Sequence, residues 1–288
     1  MWCAFGLLRL FSLLPYRLAM AVGRLLGNAI RLFAGSRRRI VDINLRHCFP
    51  EKSQAERDRI KHGCFQSIGI SLVEMSMCWW WSDARLKPLI EIQGLEHLEA
   101  VFDSGRGAIL LAGHFTSLEI SGRLFTLQNP VNAMYRRQGN DMFDSYLYTR
   151  RSRYIENLIS RKDTRQLIRA TRSKTPTWYA PDQDFPLEKN VFAPFMGVAT
   201  ATITASSRLA QATGCAMLPF YPERKADGSG YVITIGAPLA DFPSGDDLKD
   251  ATAINQSIEH YARLFPENYM WIHRRFKTRP EGEPAFYA

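Results

Sequence analysis

Hydrophobic and polar positions divide the chain into stretches of different period. From Met1 to Ala34, leucine, phenylalanine and alanine dominate, and Arg9, Arg17, Arg24 and Arg31 interrupt them. At about 100° per residue, this spacing gathers the four arginines into an arc of roughly 80° on a continuous helix. The remaining circumference is apolar, which predicts a helix lying in a membrane interface with its arginines reaching anionic headgroups. An ordinary core helix with surface arginines has the same pattern, but the adjoining Ser36-Arg37-Arg38-Arg39 adds headgroup attraction and favours the membrane. The longest charge-free run, Met1 to Leu8, falls well short of the roughly 20 apolar residues a spanning helix needs. A secretory signal is not expected either, because no basic region precedes the apolar part and no small-residue cleavage site follows it. Pro15 predicts a break into two pieces.

Residues 40–78 have helical spacing, with a break at Phe49-Pro50-Glu51 and a capping box of Ser53 and Glu56 opening the second part. Trp79-Trp80-Trp81 closes this region. Beyond it the period changes to short apolar runs bounded by turn residues: Ala108 to Ala112, Val131 to Tyr135, Thr177 to Ala180, Ala216 to Tyr221 and Tyr231 to Ile235. The first four are apolar on both faces and mostly separated by helical stretches, which predicts a buried, largely parallel sheet in an α/β fold. The fifth follows Asp227-Gly228-Ser229-Gly230 closely and is predicted to pair as a hairpin. The intervening helices are predicted over Ser117 to Leu127, Asn140 to Ile159, Asp163 to Arg172 and Thr202 to Ala212, with a last one from Asn255 to Leu264. No repeat or long linker interrupts the chain after residue 35. The expected organisation is therefore a membrane-anchoring segment, 1–35, and one catalytic-sized domain, 36–288.

Composition sharpens this picture in two respects. With 37 Lys+Arg against 28 Asp+Glu the chain carries +9 at pH 7, which predicts an anionic partner: phospholipid, phosphorylated glycolipid, nucleic acid or an acidic protein. Its five cysteines are odd in number and widely spaced, with no C-x-x-C, so neither a disulfide framework nor a zinc site is expected and a reducing, cytosol-facing location fits. The tail from Trp271 to Arg279 mixes aromatic and basic residues as a nucleic-acid surface does, but it contains no RNA-binding signature.

Candidate chemistry lies directly after the predicted strands. Gly113-His114 follows the first, Arg136-Arg137 the second, and Pro181-Asp182-Gln183-Asp184 the third. Parallel strands would bring all three groups to one carboxyl edge, where open α/β sheets place their ligand crevices. Thr116 and Glu119 have the spacing of a capping box, and Glu119 in a first helical turn can also meet His114 in the preceding loop. A carboxylate beside an imidazole orients it and stabilises its protonated form, making His114 a competent general base. Helix N-terminal amides nearby suit a developing oxyanion. No G-x-S-x-G elbow and no convincing nucleophilic cysteine is present, so direct attack by a substrate hydroxyl is expected rather than an acyl-enzyme. Asp182 and Asp184 are explained by the turn after Pro181, and neither metal nor cofactor is expected. Arg150, Arg151 and Arg153 sit on a predicted helix, either as a solvated face or as partners for phosphate.

Taken together, GHFTSLE, YAPDQDF and NYMWIHRRFKTRPEGEP resemble the bacterial lipid A secondary acyltransferases over nearly the whole chain. The tail motif is the most specific of the three. These enzymes belong to the lysophospholipid acyltransferase group, whose H-x4-D/E motif is matched by His114 and Glu119. The resemblance implies transfer of a fatty acyl chain from acyl carrier protein to a hydroxyl of a Kdo-bearing lipid A precursor, at the cytoplasmic face of the inner membrane and without nucleic acid. It implies His114 and Glu119 as the catalytic pair, Arg151 and Asp182 as substrate-binding or positioning groups, and Arg136 as a weaker candidate. An acyltransferase of the same fold acting on another glycolipid or aminolipid, and a non-catalytic lipid-binding protein, are the competing expectations. One local departure follows Asp184, where Phe185-Pro186 stands in place of the family's aromatic residue and glycine.

Overall fold

The computed structural model describes residues 2–184 and 190–287; the Phe185-Pro186 departure lies outside them. Four helices come first: α1 (Trp2–Phe11), α2 (Tyr16–Phe33), α3 (Gly35–Cys48) and α4 (Gln54–Trp80). Pro15 separates α1 from α2, as its missing N–H and fixed φ require. The Ser53–Glu56 capping box opens α4, with Ser53 Oγ accepting from Glu56 N and Glu56 returning a bond to Ser53 N. α4 ends within the tryptophan triplet.

The remainder alternates as α5 (Asp83–Leu86), β1 (Ile90–Gln93), α6 (Leu95–Asp103), β2 (Ala108–Leu111), α7 (Leu118–Phe125), β3 (Asn132–Tyr135), α8 (Asp141–Arg151), β4 (Asn157–Ser160), α9 (Thr164–Thr171) and β5 (Thr177–Tyr179). The hairpin β6 (Asn190–Phe195) and β7 (Val198–Ile203) follows, then α10 (Ala205–Thr213), β8 (Ala216–Arg224), β9 (Tyr231–Ile235) and α11 (Asp247–Leu264). Seven strands form one sheet in the order β1-β9-β8-β2-β5-β3-β4. All its pairs are parallel except β8–β9, the predicted hairpin. The α/β fold with a mostly parallel sheet is thus as the apolar runs indicated, with every side chain of β2 buried.

Several element boundaries differ from the sequence reading. The helix expected over Asn140 to Ile159 stops at Arg151, and the chain re-enters the sheet as β4. The helix expected from Thr202 begins at Ala205, because Thr202 and Ile203 complete β7. The last helix starts earlier, at Asp247, capped by the Asp246 carboxylate on the amides of Leu248 and Lys249.

The N-terminal helices share the core of the domain. α2 turns Ala19, Met20, Gly23 and Gly27 inward, and α4 meets it with Gly69. A Cβ on Gly27 would lie 2.2 Å from the carbonyl oxygen of Phe65, so the two backbones touch and only glycine fits. The opposite face of α2 exposes Leu18, Leu25 and Leu32, and Phe33 at its end is 89% exposed. α3 departs from α2 at 97°, and no single helix among the described residues is long and apolar enough to cross a membrane.

Candidate active site

The sheet is forked where the site lies. β2 pairs with β5 up to Tyr179 and β3 pairs with β4 up to Tyr135, but β3 and β5 pair only through Asn132 and Ala133. Toward their carboxyl ends these two central strands separate. A cleft of about 1570 Å³ occupies this edge and is lined by both Trp178 and Tyr179, which alternate to opposite faces of β5. His114, Glu119, Arg136 and Arg151 all line it, together with Gln183 and Asp184 next to Asp182. The convergence expected at the carboxyl edge is present.

The pairing within it is not the one expected. The Nδ1 of His114 lies 2.6 Å from Oδ1 of Asp182, and the His114 backbone N–H donates to Oδ2 at 2.8 Å. Asp182 is buried, with 1% of its side chain exposed, and Tyr269 donates its hydroxyl to Oδ2 at 2.9 Å. Burial alone would raise the Asp182 pKa, but the His114 imidazole, its two hydrogen bonds and Arg275 hold it well below the usual carboxylate range. An ionised carboxylate can only accept, so the hydrogen between them belongs to Nδ1, and it is in the neutral imidazole that Nε2 carries the lone pair. Nε2 has no hydrogen-bond partner among the described residues, and 23% of the His114 side chain is exposed at the cleft.

Glu119 belongs to a second group. Arg151 Nε donates to its Oε1 at 3.1 Å, Arg151 Nη2 donates to Oε2, and the Tyr154 hydroxyl donates to Oε1 at 3.0 Å. Burial acts to raise the Glu119 pKa, yet Arg151 outweighs it and holds the carboxyl below its ordinary value. The carboxylate that orients His114 is therefore Asp182, and Glu119 is the counter-ion of Arg151. With Nε and Nη2 engaged in this fork, Arg151 is a wall of the cleft rather than a free phosphate ligand. The Thr116–Glu119 capping box is also not formed: Ser117 precedes α7 without a side-chain cap, and Thr116 Oγ1 bonds Ser67 at 2.6 Å and Arg224 at 3.0 Å. Arg136 lines the cleft and makes no ion pair among the described residues.

The C-terminal segment holds the His114 turn in place. Thr116 N donates to the carbonyl of Asn268 and Met270 N to that of His114, and Phe115 bridges Tyr269 in antiparallel fashion. Beneath this, Arg224 forks onto Glu74 and also reaches Ser67 and Asn268. Arg275, buried, donates to the carbonyls of Gln183 and Ala201, and Asp184 accepts from the amide and hydroxyl of Thr278. His273 lines the cleft with its ring 5.6 Å from that of His114. Burial, followed by the neighbouring imidazole, lowers its pKa to about 4, so His273 is neutral at physiological pH. Tyr269, His273 and Arg275 were not singled out as site residues, although all three lie in the distinctive tail motif.

Cys48, Cys64, Cys78 and Cys215 are buried and unpaired, and burial pushes the Cys64 thiol up to about 12, so these four offer no thiolate nucleophile. Among the described residues, no group of three His, Cys, Asp or Glu side chains is placed to share a metal ion.

Comparison with known proteins places the chain among relatives of one kind. The family model described as bacterial lipid A biosynthesis acyltransferase matches residues 1–278. The chain is 38% identical over 287 residues to the lipid A biosynthesis lauroyltransferase of Escherichia coli (strain K12), covering 99% of this chain and 94% of that protein. It is 36% identical, with the same coverage, to the lipid A biosynthesis palmitoleoyltransferase of that organism. Its identity to the corresponding myristoyltransferase is 31% over 264 residues, 91% of this chain and 80% of the relative.

Proposed function

The chain belongs to the bacterial lipid A biosynthesis acyltransferases, and from that membership we propose that it moves a fatty acyl chain from acyl carrier protein to a hydroxyl of a Kdo-bearing lipid A precursor. The observation that carries the mechanism is the buried Asp182 on Nδ1 of His114, with Nε2 unengaged at the cleft. The acceptor hydroxyl oxygen attacks the thioester carbonyl carbon while Nε2 takes its proton. The tetrahedral intermediate collapses with cleavage of the carbon–sulfur bond, and the departing thiolate takes the proton from the imidazolium. Asp182 stays ionised throughout, matching the charge that forms on His114. Glu119 and Arg151 form one wall against which the acceptor is oriented, and Arg136 at the rim engages its phosphate or carboxylate groups.

The test uses the purified protein in detergent with a ladder of acyl carrier protein thioesters and a Kdo-lipid A precursor, followed by mass spectrometry of the lipid. A product heavier by one acyl residue is expected. Acylation of a different glycolipid but not this one would reassign the acceptor, and no product with any donor would sink the reading.

In the same reading, residues 1–35 hold the acyltransferase domain to the cytoplasmic face of the inner membrane. Leu18, Leu25 and Leu32, spaced seven apart, are 51%, 68% and 64% exposed, and Arg17, Arg24 and Arg31 repeat beside them at the same interval. An apolar stripe edged with cations suits a helix lying in the headgroup region. Because α2 is packed backbone-to-backbone on α4, deleting it would damage the core, so point changes are the cleaner probe. The double substitution Leu25→Ser, Leu32→Ser is expected to lower partition onto anionic phospholipid vesicles at least tenfold, since burying each leucine contributes about 1.5–3 kcal/mol. Co-sedimentation measures this, and undiminished binding would show that the stripe is not the contact.

A further inference from the structure

The proposed activity requires two substrates to reach His114, and a strongly charged surface outside the catalytic groups bears on how one of them arrives. The segment 161–174, which contains α9, carries Arg161, Lys162, Arg165, Arg169, Arg172 and Lys174, and its one acid is Asp163. All six cations are exposed, and none is in an ion pair among the described residues. Asp163 uses its carboxylate to cap the amide of Gln166. Six cations within fourteen residues, none in an ion pair among the described residues, give this face a strongly positive potential.

This face adjoins a path to the base. α9 turns Leu167 and Ile168 toward Leu209 of α10, and these three residues line the same cleft as His114. Arg161, Lys162 and Arg208 edge it, Arg208 being shared with Asp247 at 3.2 Å. The Arg172 guanidinium donates to the carbonyl of Ala212, fixing α9 against α10 across the groove. An apolar floor with a cationic rim leads from open solvent to the reacting atoms. The exposed large hydrophobic side chains of the chain include seven on or beside α1 and α2, namely Leu7, Leu10, Leu13, Leu18, Leu25, Leu32 and Phe33, and none on α9 or α10. Leu167 and Ile168 also pack on the core lying across the sheet from the one that holds Phe5 of α1 and Ala19 and Met20 of α2, a core that only the carboxyl end of α2 reaches, through Ile30. A surface that is cationic and lacks apolar anchors of its own suits an acidic protein rather than a lipid surface.

We infer that the cationic face of α9, with Arg208 of α10, docks the acidic acyl carrier protein, and that the α9–α10 groove admits the carrier's acyl-bearing arm to His114. This rests on the acyl-carrier reading given above. The forked sheet then separates the substrates: the donor enters on the α9–α10 side of β5, and the α7 side is left to the lipid acceptor.

The double variant Arg165→Glu, Arg169→Glu tests this in the full-length protein. Both side chains are exposed and outside the cleft lining, so the fold and the catalytic groups are undisturbed. With the acyl carrier thioester as varied substrate, KM is expected to rise at least tenfold at low ionic strength while kcat at saturation is kept, and the difference should shrink as salt is added. Binding to anionic vesicles should be unchanged. An unaltered KM would overturn the inference, as would a loss confined to kcat. Weaker vesicle binding with an unaltered KM would overturn it in favour of a membrane surface. Wild-type protein that fails with every carrier thioester would instead overturn the underlying reading, so the two failures are distinguishable.

Discussion

Asp182→Asn is expected to slow acyl transfer by about 10³–10⁴-fold, close to the loss expected for His114→Ala. Asparagine keeps the size of the side chain and most of its hydrogen bonds, including the backbone N–H of His114 and the hydroxyl of Tyr269. It removes the charge that matches the imidazolium, and its amide can present a donor to Nδ1, which would turn the lone pair of His114 away from the cleft. The two residues work as one unit, so the double variant should be little worse than either single one. Stability supplies an independent check. The folded-state pKa of Asp182 is depressed, so its ionisation stabilises the fold fully above the unfolded value of about 3.9 and progressively less as pH falls below that toward the folded value. The stability gap between wild type and Asp182→Asn should therefore be largest near neutrality and close on acidification. Turnover within tenfold of wild type would mean that His114 does not depend on this carboxylate.

Glu119, not Asp182, is the partner of His114 that the sequence makes visible. The two residues are five apart with a helix start between them, and local patterns of that kind are visible in a sequence, whereas the contact between residues 114 and 182 exists only once β2 and β5 pair. The strands themselves were legible because each is a continuous apolar run ending in a turn, and parallel pairing then brings their ends together whatever the chain separation. Edge elements were less so. β4 is only Asn157 to Ser160, with both its end residues exposed, and its sequence continues the helical pattern of α8, so nothing local marks where helix gives way to strand. β6 and β7 turn at Met196-Gly197, both with positive φ, and the alanines of β7, together with its run into the helical stretch after Ile203, blur where the strand ends. The tail was recognisable as distinctive without its reason being visible. Its residues are spent on holding the His114 turn through Asn268, Tyr269 and Met270 and on bracing the Asp182 loop through Arg275 and Thr278.

Glu119→Ala is expected to destabilise the protein by about 3–5 kcal/mol, because it leaves Arg151 largely buried beside the cleft without its counter-ion. Arg151→Met should cost less, since the stranded carboxyl can take up a proton. The double variant Glu119→Ala, Arg151→Met removes both charges and is expected to recover much of the loss, so that in urea unfolding its destabilisation is smaller than the sum of the two single ones. Additive losses would show that the two side chains do not depend on each other. The pair also responds to pH in a defined direction: Glu119 has a lowered folded-state pKa, so its contribution is present above the ordinary glutamate value of about 4.3 and fades as pH falls through the folded one. Kinetics then separates its role from that of Asp182. Glu119 bonds Arg151 and Tyr154 while Asp182 holds His114, so Glu119→Gln should reduce turnover and acceptor affinity without displacing the pH profile of kcat, and Asp182→Asn should displace it. A profile that moved with Glu119→Gln and stayed fixed with Asp182→Asn would return Glu119 to the histidine and require the cleft to rearrange when substrate binds.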